Sequence, residues 1–367
     1  MNEFIKKKGR KEIFDLKPYV PGKPIEEVKR ELGIDDIIKL ASNENPIGPS
    51  PKGVEAVEKA LAQLHFYPDS NCFYLKNRLS EILGYENENL IIGNGSDEVL
   101  KLIAETFINQ GDEVVFADPS FVEYEFTAKI MGAACIKVNL KDFTHDLEAM
   151  LQAITDKTKI VYICNPNNPT GTIVTEQEMD YFMNNVPEDV LVVFDEAYVE
   201  YVEAENFASG LKYVDQGKNA LVLRTFSKIY GLAALRIGYA ITTKEIAQAI
   251  ERVIEPFNVN MLAQVAALAA IDDHEHVKKS QNLNSEGKQY LYKEFKNLGF
   301  DYVPTEANFI FVDTHKDIQF IFNKLLQLGV IIRTGDIFGY PTYMRLTIGT
   351  KQENERLINA LKAILEE

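Results

Sequence analysis

Residues 220–241 read ALVLRTFSKIYGLAALRIGYAI, and the position of Lys228 within them decides the fold. An apolar run, ALVL, ends in Arg-Thr-Phe-Ser-Lys; a loop of small residues follows, then Arg236 and a second apolar run. Lys228 therefore falls just past the end of an expected strand, where open α/β sheets present their chemistry. Thr225 and Ser227 place hydroxyls beside it. Desolvation and cationic neighbours can strip a proton from such a lysine and make it an amine nucleophile toward a carbonyl. Hydroxyls plus arginine suit a dianionic phosphate. Aldehyde and phosphate together describe pyridoxal 5'-phosphate (PLP). A lysine after a strand is equally the pattern of a solvated surface lysine, so the rest of the chain has to decide.

Outward from this stretch, apolar runs alternate with helical patterns. Strands are expected at LIIG (90–93), EVVFA (113–117), CIKVNL (135–140), KIVYICN (159–165), VLVVFDEAY (190–198), ALVLRTF (220–226) and RIGYAIT (236–242). Their near-continuous apolar character predicts strands covered on both faces, hence a mostly parallel sheet. Three runs end in polar residues: Asp118-Pro119-Ser120-Phe121, Asn165 to Gly171 (NPNNPTG), and Asp195-Glu196-Ala197-Tyr198. In a parallel sheet these ends converge on one rim, together with Gly93–Asp97 and Lys228. Ser96 or Asp97 opens a helix there, as an anion site or as an ordinary cap.

Before the sheet, helices are expected over 51–65 and 74–83, from apolar residues at helical spacing. Tyr67, ahead of Pro68, is held extended, pointing outward or packed. Residues 13–50 are rich in proline and glycine, resist regular structure and must lie across something else. Within them Asn43, Glu44 and Asn45 are either turn residues or side chains delivered to a pocket. The basic tip MNEFIKKKGRKEIF is expected as a mobile arm.

After Thr243 helical periodicity dominates to about Leu298. A strand-helix-strand-strand-helix unit then closes the chain. His274 and His276 stand two apart, so they do not match an i, i+4 metal pair and read as a solvated face.

A chain of 367 residues can bury a large core and is expected to form two domains. Its net charge of −16 argues against a general nucleic-acid or anionic-membrane binder. Cys72, Cys135 and Cys164 are an odd number without CxxC spacing, which predicts reduced thiols in a cytoplasmic setting and no zinc site. No apolar stretch approaches transmembrane length.

Read together, LKPYVPGKP, SNENPIGPSP, YPD, GNGSDE, DPSFVEY, NPNNPTG, DEAYVEY, RTFSKIYGLAALRIGY, ANFIFV and YMRLTIGT occur in one order over essentially the whole length. In this the chain resembles the fold-type-I PLP-dependent aminotransferases of the class II group, and within them the subgroup acting on histidinol phosphate. The resemblance implies an α/β fold: a seven-stranded, mostly parallel sheet sandwiched by helices, a smaller α+β C-terminal domain and an N-terminal arm. The implied boundaries are 1–50, 51–255 and 256–367. It implies transamination of L-histidinol phosphate with 2-oxoglutarate. Alternatives are an aromatic amino acid aminotransferase, a PLP-dependent threonine-phosphate decarboxylase, and a non-catalytic PLP-fold module; the last should have lost Lys228 or Asp195.

Residue by residue, the resemblance makes Lys228 the lysine that carries the cofactor and moves the proton. Asp195 pairs with the ring nitrogen, while Tyr198 and Asn168 bond its phenolate oxygen. Phe121 stacks on the ring where relatives often carry tyrosine. Ser96, Asp97, Ser227 and Arg236 hold the phosphate. Tyr67 reaches the cofactor of the other subunit of a homodimer. Arg345 takes a substrate carboxylate; Arg333, Tyr19 and Asn43 are candidates for the distal phosphate and its surroundings. Arg333 and Arg345 read structurally as surface arginines ending strands. No metal is implied.

Overall fold

A computed structural model of the chain describes residues 2–14, 16 and 22–366. In chain order its strands are β1 (Ile38–Lys39), β2 (Leu90–Gly93), β3 (Glu113–Asp118), β4 (Ala134–Asn139), β5 (Thr158–Cys164), β6 (Leu191–Asp195) and β7 (Ala220–Thr225). They continue with β8 (Gly238–Thr242), β9 (Asp301–Val303), β10 (Phe309–Asp313), β11 (Val330–Ile331), β12 (Arg333–Thr334) and β13 (Tyr343–Thr347).

Seven strands form one sheet in the order β2-β8-β7-β6-β5-β3-β4. Pairing is parallel between β3 and β4, β3 and β5, β5 and β6, and β6 and β7. Only β8 is reversed, antiparallel to both β7 and β2. The β7–β8 connection contains one short 3-10 turn, Ala233–Leu235, and no crossover helix, so the chain returns antiparallel. The C-terminal ends of β2, β3, β5, β6 and β7 therefore lie at one rim, as expected. Register sharpens this: Cys164 sits beside Asp195, and Thr225 beside Gly238, which also faces Gly93.

Alternate residues of the central strands enter two cores. Val161, Ile163, Val192, Phe194 and Val222 pack on one face of the sheet. Ile160, Tyr162, Leu191, Val193, Leu221 and Leu223 pack on the other. Burial on both faces explains the unbroken apolar runs. The edge strand β4 is half-exposed and departs from that expectation.

A second sheet, β12-β13-β10-β9, is antiparallel. Its core is closed by helices His274–Asn297, Ile318–Gln327 and Lys351–Glu366, through residues such as Leu291, Leu325 and Leu361. β9 was not visible as a strand, because three residues are too few for alternation to show. The proline-rich segment adds β1, parallel to β11. Thr347 N then donates to Leu40 O at 2.9 Å, which carries the chain along the small sheet toward the rim.

One local expectation is corrected, that of His276, and two others gain detail. The basic tip is helical from Glu3 to Lys8, with the Asn2 side chain capping Phe4 N and lysines in the last turn where the helix dipole favours them. Arg10 also ties this tip to Ile130 O. His276 is buried, its Nε2 lying 3.1 Å from Ile229 O, while His274 stays exposed. Helix Met261–Ala270 lies beyond residue 255, yet Ala263, Ala266, Ala267 and Ala270 belong to the core of the large sheet. Small residues permit that close approach to helix Pro51–Ala60. A Cβ at Gly53 would sit 3.3 Å from Ala266 O. No helix among the described residues is long and apolar enough to cross a membrane.

Candidate active site

The rim holds a cavity of about 360 Å³. Strand ends, two helix starts, two strands of the small sheet and the segment 41–44 supply its walls. Lys228 lines it, just beyond β7, with Nζ 3.3 Å from Ser42 O and 5.6 Å from the centre of the Tyr198 ring. Burial, then the Arg345 charge, pull its pKa down to about 8. The solvated-lysine alternative fails on that environment.

Asp195 ends β6 and is buried. Tyr124 Oη donates to Oδ2 at 2.7 Å and Ala197 N donates to Oδ1 at 3.2 Å. Burial pushes its pKa up to about 6, with the Tyr124 and Ala197 hydrogen bonds opposing and the nearby Lys228 charge also favouring ionisation. Across the cavity the Tyr198 phenol is raised by burial, against Arg345 and Asn43, and so stays protonated. Asn43 Nδ2 donates to Tyr198 Oη at 3.0 Å, which leaves the phenol proton free to donate elsewhere.

Asn43 was expected at the substrate; the structure does place it in the lining, but its amide faces Tyr198. It is buried with a left-handed φ of 56°, a conformation asparagine tolerates. Thr347 and Asn308 hold its backbone, through Asn43 N to Thr347 Oγ1 at 2.9 Å and Asn308 Nδ2 to Asn43 O at 3.1 Å.

The NPNNPTG loop is fixed from within. Asn167, fully buried, donates to Pro119 O and Thr170 Oγ1 and accepts from Ser120 Oγ. Gly171 closes the turn at φ 76°, and a Cβ there would lie 2.0 Å from Thr305 Oγ1. Asn168 is thereby presented to the cavity, where its Oδ1 accepts from Arg345 Nη1 at 2.6 Å. Arg345 also donates to Ala41 O at 2.8 Å and is 8% exposed, so it is no surface arginine. Arg333 lines the same cavity.

At the other end stands helix Ser96–Phe107, entered through Gly95 at φ 83°. Arg236 Nη2 donates to Asp97 Oδ2 at 2.9 Å, and Ser96, Asp97, Ser227 and Arg236 all face the cavity. Two glycines keep this corner open to the backbone. A Cβ on Gly95 would lie 2.6 Å from Arg236 Nη2, and one on Gly238 2.6 Å from Ser96 N. Phe121 contributes the aromatic wall.

Tyr67 is 82% exposed, outside this cavity, and stacks on Phe257 at 4.7 Å. Tyr19 lies outside the described residues. Of the turn-or-pocket residues, Glu44 joins Asn43 in the lining, whereas sequence reasoning missed Glu123 in the lining and Tyr124 behind it. Tyr124 could have been found, since three residues after Phe121 on a helix puts it on the same face.

Chemically, the cavity sets a weakly basic amine, a buried carboxylate, an anion corner and two arginines around one aromatic wall.

The chain matches the family model described as aminotransferase class I and II over residues 35–361. It is 60% identical to the histidinol-phosphate aminotransferase of Moorella thermoacetica, covering 98% of this chain and 93% of that protein. It is 48% identical to the protein of the same name from Caldicellulosiruptor saccharolyticus, covering 97% and 99%. Among solved structures, histidinol-phosphate aminotransferase from Sinorhizobium meliloti in complex with pyridoxal-5'-phosphate superposes with a TM-score of 0.90 at 28% identity, covering 98% of each chain. The chain belongs to the class I and II aminotransferase family.

Proposed function

We propose that this chain transfers the amino group of L-histidinol phosphate to 2-oxoglutarate, using PLP, in histidine biosynthesis. The observation that carries the reading is the 60% identity, over nearly the whole length, to a protein of that name. The cavity fits the cofactor on its own terms. The corner of Ser96, Ser227 and Arg236, kept clear by Gly95 and Gly238, suits a phosphate. Phe121 offers a face to an aromatic ring, and Asp195 offers a carboxylate to a ring N–H. Bound there, PLP supplies an electrophilic carbonyl and a ring that accepts electrons from the substrate carbon.

The chain's own residues do the rest. Lys228 anchors the cofactor and then moves the proton at the substrate α-carbon as base and acid. Asp195 keeps the ring nitrogen protonated. Tyr198 and Asn168 donate hydrogen bonds to the phenolate oxygen. Each substrate carries an anion, a phosphate ester in one and carboxylates in the other. Arg345 takes the carboxylate by a planar fork, with Arg333 toward the distal anion.

The reading includes a homodimer in which Tyr67 reaches the partner's cofactor phosphate. The exposure of Phe66, Tyr67, Phe73 and Tyr74 together supports that. A cytoplasmic setting suits three unpaired cysteines. We place the division between the two units inside helix His274–Asn297, since Met261–Ala270 packs with the large sheet.

Purified protein given histidinol phosphate and 2-oxoglutarate is expected to release glutamate. No glutamate, alongside robust turnover of phenylalanine or tyrosine, or carbon dioxide release from threonine phosphate, contradicts the substrate assignment. A second expectation follows from Lys228. Only the neutral amine attacks a carbonyl, and its pKa lies near 8. The rate of PLP uptake by the cofactor-free protein should rise about tenfold per pH unit below that value and level off above it. Stopped-flow absorbance reads this directly; a flat profile contradicts a titrating amine.

A further inference from the structure

Tyr124 does not line the cavity, yet it touches two walls of it. Its side chain is fully buried in helix Val122–Ile130. On one side its ring stacks flat on Tyr162, centroids 4.7 Å apart and planes 4° apart. On another it meets Phe121 edge-on at 5.7 Å and 84°. Rings on two sides leave the hydroxyl one position, and there it donates to Asp195 Oδ2 at 2.7 Å.

We propose that Tyr124 is a positioning residue that keeps the Asp195 carboxylate ionised and aimed into the cavity. The proposal rests on the cofactor reading above, in which that carboxylate pairs with the ring nitrogen. A buried carboxylate tends to take up a proton, and Asp195 has moved up to about 6 for that reason. The groups acting on it are few. Lys228 and the Ala197 N–H favour the charged form, Asp97 disfavours it, and Tyr198 and Cys164 face the same space as neutral groups held protonated by burial. The Tyr124 hydroxyl is the foremost of the influences that oppose burial. Without it the carboxylate protonates at higher pH and loses its charge-assisted hold on a ring N–H.

The test uses Tyr124→Phe, which keeps the ring and its stacking, with Tyr162→Phe as the matched loss of a buried hydroxyl that does not reach Asp195. PLP affinity of the cofactor-free proteins is measured by absorbance from about pH 5 to about pH 9. The ratio of variant to wild-type affinity cancels the titration of Lys228, which is common to all three. For Tyr124→Phe the ratio is expected to fall about tenfold or more at the acid end and to recover toward alkaline pH, a hydrogen bond to a charged group having about that weight. For Tyr162→Phe it should stay level with pH. A Tyr124→Phe ratio that is lowered equally at every pH, or is unchanged, overturns the proposal. So does the same pH dependence in Tyr162→Phe. A wild-type protein that takes up no PLP overturns the cofactor reading, and this proposal with it.

Discussion

Lys228→Ala is expected to reduce amino-group transfer by about 10,000-fold or more, because one change removes both the anchoring amine and the proton carrier. The fold should survive. Nζ makes a single long hydrogen bond, to Ser42 O at 3.3 Å, and the amine is held against its preference for charge. Removing it relieves desolvation and the repulsion from Arg345, which together outweigh the attraction of Asp97 and Glu44, and leaves no donor unsatisfied. Steady-state kinetics beside circular dichroism and gel filtration check both halves. More than about one per cent of wild-type turnover in a folded variant removes Lys228 from the role given to it.

The largest effect on stability is expected one residue from Asp195. Glu196 side-chain oxygens accept four hydrogen bonds: from Ser209 Oγ and Gly210 N at 2.8 and 2.7 Å, and from Arg224 Nε and Nη2 at 3.1 and 2.8 Å. The Glu196 side chain is wholly buried and that of Arg224 is 14% exposed. Glu196→Ala leaves a guanidinium in low dielectric with its closest partner gone, at a cost of about 3–5 kcal/mol. The denaturant midpoint should fall accordingly without a change in slope. The double variant Glu196→Gln with Arg224→Met removes both charges and is expected to recover much of the loss. A single variant within about 0.5 kcal/mol of wild type shows that the pair carries no such weight.

These two residues illustrate what a single sequence displays. Lys228 and Asp195 were legible because each ends an apolar run with a polar residue, a break that a strand buried on both faces makes conspicuous. The same logic found Asn168 and the helix start at Ser96. Glu196 was visible only as part of the same polar run. Nothing in the string says that it turns away from the cavity toward Arg224, since that depends on strand register.

Contacts made across the fold were hidden for the same reason. Asn43 and Tyr198 are 155 positions apart, and only the alignment of Leu40 beside β13 brings the amide to the phenol. His276 read as solvated because its helix is polar overall; the loop at Ile229 that buries it comes from elsewhere in the chain. Arg345 ends a plausible surface strand in sequence, and it is buried because the NPNNPTG loop lies across it. Composition and periodicity reported the layers of the fold, whereas pairings between layers needed coordinates.

Borohydride reduction of the PLP-loaded protein, followed by peptide mass spectrometry, tests the central assignment most directly. Reduction fixes the cofactor to whichever amine holds it. The phosphopyridoxyl group is predicted on Lys228 alone, in the peptide that continues into IYGLAALR. Attachment to any other lysine, or no attachment in a folded protein supplied with the cofactor, contradicts the account.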